Sequence, residues 1–164
     1  MVPRGSVPAM AKHPDVGDEA PDFELEGTHG SFKLSDHRGE RVLLLFYPGD
    51  ETAVCTKQFC SYRDNAEAFG ALGVAAVGIS GKGVDSKQRF AEKNDLNVPL
   101  LADPDFEVAK AYDAYAGMLK TTKRAVIVVG EDGRVLHRHD HALGLDFQTV
   151  ADLKETLDSL PAPA

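Results

Sequence analysis

The chain has 164 residues, 43% hydrophobic and 27% charged, with a net charge of −8. That length suits one domain with a sizeable core. The acidic balance lacks the basic footprint that nucleic-acid backbones require, and no apolar run reaches the roughly 18 residues of a membrane span.

No charged-then-apolar signal peptide precedes the fold, and two neighbouring cysteines do not make a secreted disulfide framework. A cytoplasmic location is therefore expected, where a reversible disulfide is usually catalytic. Met1-Val2-Pro3-Arg4-Gly5-Ser6 reads as a protease-site scar. Residues 1–9 are set aside as scar and lead-in, and residues 10–160 are taken as a single domain.

In chain order, residues 22–33 read as a hairpin around Gly27-Thr28-His29-Gly30, and residues 35–39 as a turn. Residues 42–46 form a core strand, apolar on both faces as a central parallel strand requires. A helix then runs to about Leu72, with Gly73 ending it. Residues 74–79 form a second core strand, and residues 85–94 a helix capped by Asp85. Residues 98–101 form a short strand, and residues 104–112 a helix with Pro104 near its first position. Residues 124–129 and 134–139 pair as a hairpin across Glu131-Asp132-Gly133. Residues 146–160 form a last helix with Phe147, Val150, Leu153 and Leu157 at helical spacing, and residues 161–164 are a tail. Strands alternating with helices argue an α/β fold, and the late hairpin makes its sheet mixed.

Cys55 and Cys60 are the only cysteines. Cys55 stands where a strand's C-terminal loop becomes a helix, the usual place for a site in an open α/β sheet. The unpaired N–H groups there favour a thiolate, which is the nucleophilic form. Cys55, Phe59, Tyr62, Ala66 and Phe69 form one apolar stripe, with Arg63, Asp64 and Glu67 opposite. Cys60 is rotated about 140° from Cys55, towards the polar side, and the two Cα atoms lie roughly 8–9 Å apart on an intact helix. A disulfide needs less than about 7 Å, so it requires the helix to unwind.

The pattern Pro48-x-x-x-Thr52-x-x-Cys55 resembles the active-site signature of the peroxiredoxins. With a second cysteine five residues on, it resembles the bacterioferritin comigratory protein, or peroxiredoxin Q, branch. The likeness extends through Gly17-Asp18-Glu19-Ala20-Pro21-Asp22-Phe23, Leu100-Leu101-Ala102-Asp103-Pro104 and Arg124. Departures from the branch pattern are Ala53-Val54 for Pro-Gly, Gln58 for glutamate, and Ala125 for a small hydroxyl residue. The resemblance implies a thioredoxin-like fold: a mixed central sheet flanked by helices, with an N-terminal β-hairpin. It also implies reduction of hydrogen peroxide and organic hydroperoxides, no bound cofactor, and a thioredoxin-like reductant.

On this reading Cys55 is the nucleophile and becomes a sulfenic acid. Cys60 resolves it as an intramolecular disulfide. Thr52 orients the peroxide through a hydroxyl that both donates and accepts. Pro48 shields the sulfur, and Arg124 supplies a fixed cation to the thiolate and the leaving oxygen. Each has a plainer reading: an inert buried cysteine, a surface thiol, a helix cap, a turn proline, a strand-edge charge. His137, His139 and His141 share one strand face and read as a solvated hairpin end rather than a metal site. Gly81-Lys82-Gly83 lacks the phosphate-loop spacing. The acidic charge and the lack of an apolar surface stripe point to a monomer, with a dimer as the alternative. The competing functions are redox sensing and protein thiol–disulfide exchange with the same cysteine pair. The four residues between the cysteines disfavour the exchange enzyme, whose cysteines have only two residues between them.

Overall fold

The structure is a computed structural model, described over residues 14–50, 52–141 and 147–160. A seven-stranded mixed sheet carries helices on both faces. Its strands are β1 (Glu24–Gly27), β2 (Gly30–Lys33), β3 (Val42–Phe46), β4 (Ala75–Ser80), β5 (Leu100–Ala102), β8 (Ala125–Val129) and β9 (Val135–Asp140), in the spatial order β2-β1-β5-β4-β3-β8-β9. β3, β4 and β5 run parallel, while β8 returns antiparallel along β3 and continues into β9. A small two-stranded sheet, β6 (Tyr115–Ala116) with β7 (Thr121–Thr122), precedes β8. The sequence pattern did not reveal it, because two-residue strands carry no periodicity.

Every residue of β3 and β8 is buried. Strand alternation sends Val42, Leu44, Phe46, Ala125, Ile127 and Val129 into one core with Tyr112 and Val108. Leu43, Leu45, Tyr47, Val126 and Val128 enter the other, with Cys55, Phe59, Tyr62, Phe90 and Leu153. The second core is roofed by α1 (Ala53–Asp64), α3 (Val84–Asn94) and α5 (Val150–Asp158), and the first by α4 (Glu107–Ala111) and the N-terminal hairpin. Gly78 on β4 lets α1 seat. A Cβ there would meet Leu100 Cδ2 at 2.9 Å and Phe59 Cζ at 3.0 Å.

The hairpin of β1 and β2 closes through Gly27 and Gly30 as expected. Several other boundaries differ. The cysteine helix does not run unbroken to Leu72. It stops at Asn65, which leaves helical geometry (φ −114°, ψ 37°), and a separate α2 (Ala66–Gly70) follows. The Ser61 carbonyl there accepts from both the Asn65 amide, at 3.1 Å, and the Asn65 side chain, at 2.8 Å. Ala66 accordingly leaves the buried stripe and is exposed.

α3 begins at Val84 with Gly83 as its N-cap, so Asp85 lies in the first turn and does not cap it. α4 begins only at Glu107, because Phe106 takes a left-handed conformation. Phe106 is the N-cap, and the first-turn amides of Val108 and Ala109 donate instead to the Asp103 carboxylate at 3.2 and 2.9 Å. α5 starts at Val150, where Thr149 and Asp152 form a reciprocal capping box. Phe147 precedes it, and Asp146 lies outside the described residues, as do the expected scar and tail.

Candidate active site

Phe46 ends β3, and the chain turns through Tyr47-Pro48-Gly49-Asp50 towards Thr52, the N-cap of α1. The described part of this loop is tied down residue by residue. The Tyr47 amide donates to the Ile79 carbonyl at 3.1 Å. The Pro48 carbonyl accepts from Thr121 Oγ1 at 2.9 Å, and the Gly49 carbonyl from Thr52 Oγ1 at 3.2 Å. The Thr52 hydroxyl therefore does not cap the helix. It points back into the loop, and Thr52 is exposed.

Cys55 lies in the first turn of α1 and is fully buried. Arg124, immediately before β8, is also buried, and its Nη2 donates to Cys55 Sγ at 3.0 Å. Its Nη1 donates to Gln58 Oε1. Gln58 Nε2 donates to the Tyr62 hydroxyl at 3.0 Å, and that hydroxyl donates to the Gln148 carbonyl at 2.6 Å. A guanidinium taken out of water needs such partners, since its fork presents five donors. Burial pushes the Tyr62 hydroxyl well above the usual phenol range, so it stays protonated as a donor.

Cys60 is half-buried, and its Sγ lies 3.6 Å from Asn94 Oδ1 at the end of α3. It faces α3, and both cysteines are free thiols on an intact helix. The structure thus gathers Cys55 and Arg124, with Thr52 and Pro48 in the adjoining loop, and leaves Cys60 on another side of α1.

Sequence reading noted Gln58 only as a departure from a pattern. Its position three residues after Cys55, inside an otherwise apolar stripe, was the available signal of a buried polar role. The Tyr47 hydroxyl donates to Asp50 at 2.6 Å, and burial pushes its pKa well above the usual phenol range. His139 and His141 stack edge-on at 4.5 Å, and burial lowers the pKa of His137. Among the described residues no group of three or more His, Cys, Asp or Glu side chains could hold a metal ion, and no helix is long and apolar enough to cross a membrane.

The fold and this thiol site define a thioredoxin-like peroxiredoxin. The chain belongs to the AhpC/TSA family, whose model matches residues 16–138. It is 32% identical over 154 residues to peroxiredoxin Bcp of Bacillus subtilis strain 168, spanning 86% of this chain and 98% of that protein. It is 35% identical over 146 residues to the chloroplastic peroxiredoxin Q of Oryza sativa subsp. japonica, spanning 88% of this chain and 65% of that one. The crystal structure of peroxidoxin BcpB from Mycobacterium tuberculosis superposes with a TM-score of 0.77 at 33% identity, covering 90% of this chain and 98% of the other. These relationships bear out the resemblance to the Bcp and peroxiredoxin Q branch and support a thiol peroxidase.

Proposed function

We propose that the protein reduces hydrogen peroxide and organic hydroperoxides through Cys55, with Cys60 as the resolving thiol and a thioredoxin-like dithiol as reductant. The observation that carries this reading is the buried Arg124 guanidinium, 3.0 Å from the sulfur of a cysteine in a helix's first turn. That geometry offers a thiolate a charge-assisted hydrogen bond and keeps a cation beside the oxygen that leaves.

The Cys55 thiolate attacks one peroxide oxygen and donates its electron pair. The O–O bond breaks, and the other oxygen departs with a proton as water or alcohol. Cys55 is left as a sulfenic acid. In this reading Thr52 orients the peroxide and Pro48 limits water. Cys60 then attacks the Cys55 sulfur, the sulfenic oxygen leaves as water, and a disulfide forms. Two electrons and two protons from the external dithiol restore both thiols, so no bound cofactor is required.

The second step needs α1 to open, since five residues of helix separate the cysteine Cα atoms by about 8–9 Å. Full burial of the Cys55 sulfur favours a small peroxide over a protein disulfide as oxidant, and so disfavours the exchange enzyme. A redox sensor would share the first step but not recycling. We place the protein in the cytoplasm and read it as a monomer. Sedimentation at micromolar concentration tests the second point. Steady-state peroxide consumption with thioredoxin and its reductase tests the function: sustained turnover is expected, and one equivalent consumed without recycling would overturn it.

A further inference from the structure

Lys87 is a lysine with 0% exposure. A buried ammonium is costly unless it is paired and hydrogen-bonded. Its Nζ donates to Asp50 Oδ2 at 3.2 Å, to Ser80 Oγ at 2.6 Å and to the Gly81 carbonyl at 2.8 Å. Asp50 also accepts from Tyr47 at 2.6 Å and from Ser86 at 2.7 Å. Burial lowers the pKa of Lys87, and the Asp50 carboxylate opposes that shift.

The cluster joins three elements: the loop after β3, the end of β4 and the first turns of α3. Cys55 and Gln58 each accept from Arg124. Asp50 sits inside the loop, two residues after Pro48 and two before Thr52. Of the described residues from Pro48 to Thr52, Asp50 has the side chain bound on both sides of the loop, by Tyr47 behind it and by Ser86 and Lys87 from α3.

We propose that Lys87 and Asp50 are a positioning pair for the peroxide reaction, anchoring the loop so that Pro48 and Thr52 are held against the approach to Cys55. The proposal rests on the peroxidase reading. It differs from a plain stability role, because a buried ion pair can often be replaced by neutral groups with little loss of stability. Positioning is less forgiving: a displacement of about 1 Å can cost a reaction on the order of 10²-fold.

The test uses Lys87→Met, Asp50→Asn and the double variant Lys87→Met/Asp50→Asn in the full chain. Three readouts are compared with wild type: the melting temperature, the rate of Cys55 alkylation by iodoacetamide, and the second-order rate constant for hydrogen peroxide. Either single change leaves a lone buried charge, and its melting temperature should fall. The double variant leaves none and should recover most of that loss.

The proposal expects the double variant still to react with peroxide about tenfold or more slowly than wild type. Its alkylation should be no slower, since alkylation needs the thiolate but not the peroxide's orientation. A double variant that recovered both stability and peroxide rate would overturn the proposal, as would one that failed to fold, because either result assigns the pair to the fold alone. A wild type that consumed no peroxide would instead overturn the peroxidase reading, and this proposal with it.

Discussion

Arg124 and Cys55 meet at 3.0 Å although they are 69 residues apart in sequence. Their approach depends on the pairing of β3 with β8, which sets Phe46 opposite Ala125. One strand leads into the cysteine helix and the other begins just after the arginine. The cation is thereby fixed beside the sulfur by the sheet itself. Such preorganisation is worth more in a dry site than in water.

Removing that cation should slow Cys55 oxidation by about 10²–10³-fold in Arg124→Ala, as losing one preorganised donor typically does. Cys55→Ser should abolish peroxide consumption, since a neutral alcohol is a weak nucleophile. Rapid-mixing kinetics on the reduced protein would measure both. Wild-type oxidation rates in Arg124→Ala would separate the contact from the chemistry.

Gln58 links Arg124 to Tyr62, so Gln58→Leu should act on stability and rate together. It leaves the Arg124 Nη1 group and the Tyr62 hydroxyl each short of one buried partner, a loss of about 1–3 kcal/mol per group. Denaturant unfolding should show the midpoint falling with the slope unchanged. Peroxide kinetics should show slower oxidation as Arg124 loses its second anchor.

Cys60→Ser should consume one equivalent of peroxide and then stall as a sulfenic acid that over-oxidises readily. In the unmodified chain, disulfide formation should open α1 between Thr52 and Asp64. The break at Asn65 bounds that opening, because α2 is already a separate helix. Hydrogen exchange on reduced and oxidised protein should show Gln58 and Phe59, both 1% exposed here, losing protection, while β3 and β4 keep theirs. Equal protection of α1 in the two states would leave Cys60 a bystander.

Stability should fall on acidification through the histidine range, in part through His137. Burial and the neighbouring His139 lower its pKa in the folded protein. The unfolded chain therefore binds the proton more readily, and the contribution, full above about pH 6.5, is lost as pH falls towards the folded value. Melting temperatures from pH 8 to pH 5 should decline less steeply for His137→Gln than for wild type. Parallel curves would assign the acid sensitivity to other groups.

Local patterns in the sequence determined the helix that carries Cys55, the buried strands β3, β4 and β8, the hairpin of β1 and β2, and the identities of both cysteines. Each rests on periodicity or turn chemistry within a few residues. The motif also marked Pro48, Thr52 and Arg124, through resemblance rather than spacing. Tertiary structure decided what adjacency in the chain cannot express. It broke the helix at Asn65, whose backbone leaves helical geometry although the periodic pattern ran on to Leu72. It moved the start of α4 to Glu107, because Asp103 bonds the helix's amides once the left-handed turn at Phe106 has formed. It also brought Gln58 to Arg124 and Lys87 to Asp50. Buried polar groups must find partners wherever the fold supplies them, and those partners stand 66 and 37 residues away in these two cases.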